Sequence, residues 1–193
     1  MAAICLAIGL VLGYLFRGSA SRPDPRSQAI LMPAPAGASA AQPQMPSLED
    51  LKRMAEPLLA KLKTDPNNSD LLNKIGTLYK ATHQFKEAAG YYQKAVDVDP
   101  KNVAARTELA SCLFYQGDAD GAIHQCQQSL RYDPNDANSL FNLGMIRLQA
   151  KNDPGGAVTA WQQLLKLNPM LAADKKAAVQ KLIAQARQPR PAN

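Results

Sequence analysis

Residues 66–100 read PNNSDLLNKIGTLYKATHQFKEAAGYYQKAVDVDP, and this stretch decides the fold. Two runs inside it, Leu71 to Ala81 and Glu87 to Val98, carry apolar side chains at helical spacing, with a polar break around His83 between them. The same arrangement returns further along the chain. Pro66, Pro100, Pro134 and Pro169 stand 34, 34 and 35 residues apart, each directly behind Asp or Asn. The later intervals hold Ala104 to Tyr115 with Ala119 to Tyr132, and Ser139 to Gln149 with Ala157 to Leu167. A fixed period of this length predicts stacked supersecondary units, here three antiparallel helix pairs over 69–102, 103–136 and 137–169. A lone pair cannot bury its apolar face, so stability has to come from stacking neighbours.

With these residues in view, the chain resembles the tetratricopeptide repeat (TPR) family. Its pattern is a large residue, Leu-Gly and Tyr in the first helix, then Ala, an aromatic and Ala in the second, closed by Pro. The first unit matches at Leu72, Ile75-Gly76, Tyr79, Ala88, Tyr92, Ala95 and Pro100. The second keeps Leu109-Ala110, Leu113, Ala122 and Pro134 but places Arg106, Cys126 and Ser129 at pattern positions. The third has Leu140, Leu143-Gly144, Ala157, Trp161 and Pro169, departs at Arg147, and carries one extra residue in the turn Lys151 to Gly156. The resemblance implies an all-α, right-handed solenoid. Gly76, Ala110 and Gly144 are expected to face Ala88, Ala122 and Ala157 across each pair, where small side chains let two backbones approach.

Flanking helices are predicted on both sides. Ser47-Leu48-Glu49-Asp50 reads as an N-cap followed by acids, opening a helix within 47–65 in which Pro57 implies a kink or a second start. Leu171 to Arg187, within 170–188, sets Leu171, Ala178, Val179, Leu182 and Ile183 against Lys175, Lys176, Gln180 and Lys181, the pattern of a helix that caps the last unit.

The amino terminus is of another kind. Ala2 to Phe16 is a 15-residue uncharged run, AAICLAIGLVLGYLF, closed by Tyr14 and Arg17 where a spanning helix meets headgroups. We expect residues 1–16 to be an uncleaved single-pass inner-membrane anchor, although Gly18-Ser19-Ala20 also offers small residues for a signal peptidase. Residues 17–46 are rich in Pro and Ala with few large apolar side chains, as expected of a disordered tether. Arg17, Arg22 and Arg26 would by the positive-inside rule keep the downstream chain in the cytoplasm, a vote that reverses if the true start lies upstream and carries its own cations.

The whole chain has 193 residues, 46% of them hydrophobic, and a net charge of +6. Residues 67–169 hold ten Lys/Arg and ten Asp/Glu, so the repeats have no basic excess to displace counterions from a nucleic acid. The two histidines, His83 and His124, have no thiol or carboxylate at metal-ligand spacing, and no phosphate loop, G-x-S-x-G or HExxH run occurs. The reading is therefore of a protein without catalysis, metal or cofactor. Cys112 and Cys126 lie on the two helices of one unit and are read as small apolar core residues rather than a disulfide.

The resemblance also implies where a partner binds, since TPR proteins take a peptide along the concave face of their first helices. That face would offer Asn73, Thr77 and Lys80, then Thr107, Ser111, Phe114 and Tyr115, then Asn138, Phe141, Met145 and Leu148. Large client side chains are expected near Phe114, Phe141 and Met145. The carboxylate clamp of TPR co-chaperones is disfavoured, because its matching positions are Asn73, Thr77, Glu108, Asn138 and Asn142, with no cation and one added anion. The anchor, the linker and the run Ala160 to Pro169 are loosely similar to the TPR subunits of bacterial cytochrome c maturation. That similarity implies a periplasmic chaperone for apocytochrome c. The alternative is a scaffold for a membrane or envelope complex, with contacts between copies in place of client binding.

Overall fold

The computed structural model describes residues 47–188, so the expected anchor 1–16 and linker 17–46 lie outside the described residues. Among the described residues no helix is long and apolar enough to cross a membrane. Those residues form eight helices and no strand: α1 (Leu48–Thr64), α2 (Ser69–Ala81), α3 (Phe85–Val98), α4 (Val103–Tyr115), α5 (Ala119–Tyr132), α6 (Ala137–Gln149), α7 (Pro154–Leu167) and α8 (Ala173–Ala186). The pairs α2–α3, α4–α5 and α6–α7 are the three units, and each second helix packs on the first helix of the next.

The period is written in the caps as much as in the prolines. Asn68, Asn102 and Asp136, each two residues beyond a repeat proline, accept a hydrogen bond from the backbone N–H three residues on, at 2.9, 2.9 and 2.8 Å. Each first helix therefore begins at a fixed offset from the proline that closes the preceding unit. The fourth proline lacks this device: Leu171 stands at the offset, and α8 starts behind Ala172 without a side-chain cap. At the other end α1 opens with the reciprocal bonds of Ser47 and Asp50, and the Ser47 donors hold the Asp50 carboxyl below the usual carboxylate range. The second start expected at Pro57 is absent, because α1 runs unbroken through it. Arg53, four residues earlier, is exposed, so the carbonyl that Pro57 leaves without its N–H partner can be hydrated.

The turns inside the pairs share one backbone device. His83, Gly117 and Asn152, equivalent under the repeat, have φ of 59, 87 and 50°. Only glycine occupies that left-handed region without cost, so Gly117→Ala is expected to lower stability by roughly 1–2 kcal/mol. Urea titration followed by circular dichroism checks it, and an unchanged midpoint would contradict the turn argument.

The core runs across unit boundaries. Leu72, Ala88, Tyr92 and Ala95 of the first unit cluster with Ala105, Leu109 and Cys112 of the second. Ala110, Ala122 and Cys126 cluster with Leu143, Ile146 and Ala160 of the third. This is the stacking that the pattern requires. The atoms nearest a Cβ placed at Gly76 or Gly144 belong to an aromatic ring of the second helix, while Ala110 clusters with Ala122 as expected. A Cβ built on Gly76 would lie 2.9 Å from Tyr92 Cε1, and one on Gly144 would lie 2.5 Å from Trp161 Cε2. In the second unit the first-helix residue is larger, Ala110, and its second-helix counterpart smaller, Cys126. The closest approach in each pair is thus set by a trade of volume between these two positions.

Cys112 and Cys126 are two free, buried thiols that belong to different core clusters. Burial pushes both up to about 12. In a Cys5→Ser background neither is expected to react with a thiol reagent at pH 8 until the stack unfolds, and rapid labelling of the folded chain would contradict the packing. Both raised values contribute stability that is present below the unfolded thiol value of 9.0 and falls as pH climbs toward 12.

Candidate functional site

The first helices make one continuous face: α4 packs against α6, and Lys80 of α2 pairs with Glu108 of α4 across the unit boundary. Where the predicted face residues fall on it follows from how deeply the neighbouring helix covers each position. Thr77 and Asn138 are exposed, and Asn73, Ser111, Phe114 and Leu148 are half-buried. Thr77 also bonds the Tyr92 hydroxyl at 3.1 Å, tying the exposed face to the core of its own pair. Asn142, a residue of the disfavoured clamp positions, is half-buried on α6.

Three predicted residues do not line the face. Phe141 is 0% exposed, Met145 6% and Thr107 5%. Phe141 and Thr107 occupy the same repeat position as Asn73, but stacking of α6 on α4 and α5 covers it in the later units. Phe141 fills that space with its ring, and its carbonyl accepts the Trp161 Nε1–H at 3.2 Å. Thr107 fills it with a buried hydroxyl network, bonding Ser139 Oγ at 2.7 Å, Ser129 Oγ at 3.1 Å and donating to Asp136 Oδ2 at 3.2 Å. Ser129 in turn donates to the Val103 carbonyl at 3.2 Å, so the departure at Ser129 belongs to this network. The large client side chains expected near Phe141 and Met145 therefore have no opening there.

Tyr115 is turned away as well. Its ring stacks on Phe85 of the preceding pair, centroids 4.3 Å apart and planes 13° from parallel, and His83 meets Phe85 edge-on at 5.5 Å. Phe114 lies beside Tyr115 at 5.6 Å in a tilted contact. These rings bind unit to unit, a task that the repeat pattern leaves unmarked because Ala81 and Gln149 are the counterparts of Tyr115.

Lys80 is the cation among the predicted face residues, and Glu108 neutralises it. Among the clamp positions Glu108 reads only as an added anion; the signal for its partner is the spacing of two first-helix positions in successive units. Asn73 adds a feature with no sequence signal, since its Oδ1 is buried and accepts no hydrogen bond among the described residues. What remains is a face of hydroxyl and amide groups with half-buried Phe114 and Leu148 and no net charge at its ion pair. Such a surface can donate hydrogen bonds to, and accept them from, an uncharged backbone.

The two unusual arginines are explained away from this face. Arg106 is 8% exposed, with Nη1 donating to Gln125 and Nη2 to the Pro100 carbonyl, each at 2.8 Å, beneath the Tyr132 ring at 5.7 Å. Arg147 lies 3.9 Å from Asp153 in the longer third turn. His124 bonds Gln128 at 3.2 Å on an exposed helix face.

Two family models described as "Tetratricopeptide repeat" match the chain, over residues 79–143 and 138–169. Anaphase-promoting complex subunit 3 of Schizosaccharomyces pombe is 34% identical over 87 residues, covering 45% of this chain but 13% of its own length. The chain thus spans a small part of the curated relatives that it matches. The solved structure of YrrB, described as a TPR protein with an unusual peptide-binding site, superposes with TM-score 0.60 at 24% identity, over 69% of this chain and 67% of that one. The first TPR of Spaghetti (RPAP3), bound to the HSP90 peptide SRMEEVD, superposes with TM-score 0.54 at 23% identity, over 61% and 91%. At these identities the structures share the fold. Period, caps, unit stacking and both family models agree, and the chain carries tetratricopeptide repeats over residues 79–169.

Proposed function

We propose that the repeats form a protein-interaction module that takes a peptide segment of a client along the α2, α4 and α6 face, without catalysing a reaction. The observation that carries this is the uncharged hydrogen-bonding surface of Thr77, Ser111, Asn138 and Asn142, with Lys80 already paired to Glu108. The peptide-binding TPR structures that share the fold support the same reading. A surface without a free charge at its ion pair suits an extended, uncharged stretch of client held through its backbone, with small apolar side chains against Phe114 and Leu148.

The finer reading is that the module is tethered to the inner membrane by Ala2 to Phe16 and holds unfolded apocytochrome c on the periplasmic side. The uncharged run with its closing Tyr14 and Arg17, and the similarity of Ala160 to Pro169 to the cytochrome c maturation subunits, support it. The test uses the full chain in detergent with a fluorescent apocytochrome c peptide, read by anisotropy. Asn138→Arg with Leu148→Glu should weaken binding at least tenfold while the helical signal stays constant. Unaltered binding would overturn the site, and absence of binding by the unmutated chain would overturn the client. A periplasm-only reporter fused after Asn193 that stays silent would overturn the topology.

A further inference from the structure

The stack begins on half a unit. Pro66 closes α1 just as Pro100, Pro134 and Pro169 close α3, α5 and α7, so α1 stands in the register of a second helix with no first helix before it among the described residues. The consequence shows at two positions. In the complete pairs the residues that pack on their own first helix are Ala88, Ala122 and Ala157, then Tyr92, Cys126 and Trp161, all 0% exposed. Their counterparts in α1, 34 residues before Ala88 and Tyr92, are Met54, 50% exposed, and Leu58, half-buried. With exposed Pro57 between them they make an apolar strip at i, i+3 and i+4 that belongs to no helix pair among the described residues.

We propose that α1 of a second copy fills this place, the two α1 helices packing antiparallel about a two-fold axis so that each serves as the other's missing first helix. The order of charge along α1 favours this occupant. Asp50 and Lys61 stand on the strip's own side of α1, four residues before Met54 and three after Leu58, so an antiparallel partner sets an acid beside a base at both ends, whereas a parallel one would set like beside like. The contact is isologous and therefore closes at two copies. Head-to-tail stacking through the other end is opposed by α8, which presents Asp174, Gln180, Lys181 and Gln185 to solvent. The strip is separate from the α2, α4 and α6 face, so a client can be held while the copies stay paired. A single helix-to-helix contact is small for a protein interface, and the association is accordingly weak and reversible.

Sedimentation velocity of the full chain in detergent, over a wide range of protein concentration, tests the pairing. A monomer–dimer equilibrium is expected, weakened at least tenfold by Leu58→Glu and by Met54→Glu; the second replaces a half-exposed side chain and so keeps the fold. Asp50→Lys and Lys61→Glu chains should each dimerise poorly alone and recover when mixed. A chain that stays monomeric throughout, or a dimer indifferent to both glutamates, would overturn the proposal. So would Met54→Cys resisting a thiol reagent in the monomer, since the strip would then be covered by the chain itself, and so would mixing that restores nothing.

Discussion

Trp161→Ala lowers the stability of the stack by roughly 3–5 kcal/mol, the expected cost of removing a large side chain from a core that cannot collapse onto the gap. Trp161 is 0% exposed, lies against Gly144, and uses its Nε1–H on the Phe141 carbonyl at 3.2 Å. Alanine forfeits the packing of the indole and leaves that carbonyl without its donor in a buried setting. The opposite wall of the gap is a helix backbone at Gly144, which cannot move inward without breaking its own hydrogen bonds. The measurement is a urea titration read as a midpoint shift at constant slope, and a loss below about 1 kcal/mol would mean that the indole is not the filler this packing makes it.

Gly144→Ala reaches the same contact from the other side. The added methyl would stand 2.5 Å from Trp161 Cε2 and 2.6 Å from Cδ1, closer than atoms can approach, so the indole has to shift and its bond to Phe141 lengthens. Overpacking of this kind costs roughly 1–3 kcal/mol. The second unit shows how the protein relieves it, since Ala110 there faces a unit whose second helix carries Cys126 in place of a large aromatic. Gly144→Ala combined with Trp161→Cys is therefore expected to be no less stable than Trp161→Cys alone, because the methyl enters the space that the indole left. The double-mutant cycle should give an interaction of about 1–2 kcal/mol favouring the Ala–Cys combination. Additive costs would show that the two positions do not share one volume.

The register of α1 also bears on how far a repeat pattern can be read. Ser47 with Asp50 marks the start of α1 and Pro66 its end, and both are visible in the chain. That α1 has no first helix beside it among the described residues becomes visible only when Met54 is compared, at 50% exposure, with three buried alanines in its register. The first-helix face divides in the same way. Thr77, Ser111, Phe114, Asn138 and Leu148 stand at the surface or half-buried there, as their spacing predicts. Phe141, Met145 and Thr107 share that spacing yet lie inside, and Thr107 bonds Ser139 on the first helix of the next unit.

Local chemistry thus determined everything that depends on a residue and its neighbours within one unit. Pro66, Pro100, Pro134 and Pro169 set the period, Asn68, Asn102 and Asp136 start the first helices, and apolar side chains at helical spacing assign each helix its buried face. Tertiary structure alone decided which side chains meet between units. Lys80 meets Glu108, Tyr115 stacks on Phe85, and Thr107 joins Ser139. The physical reason is that a helical repeat fixes direction but not cover. A side chain on the outer flank of a first helix is surface or core according to the helix that stacks beside it, and that helix lies roughly a full period away in the chain.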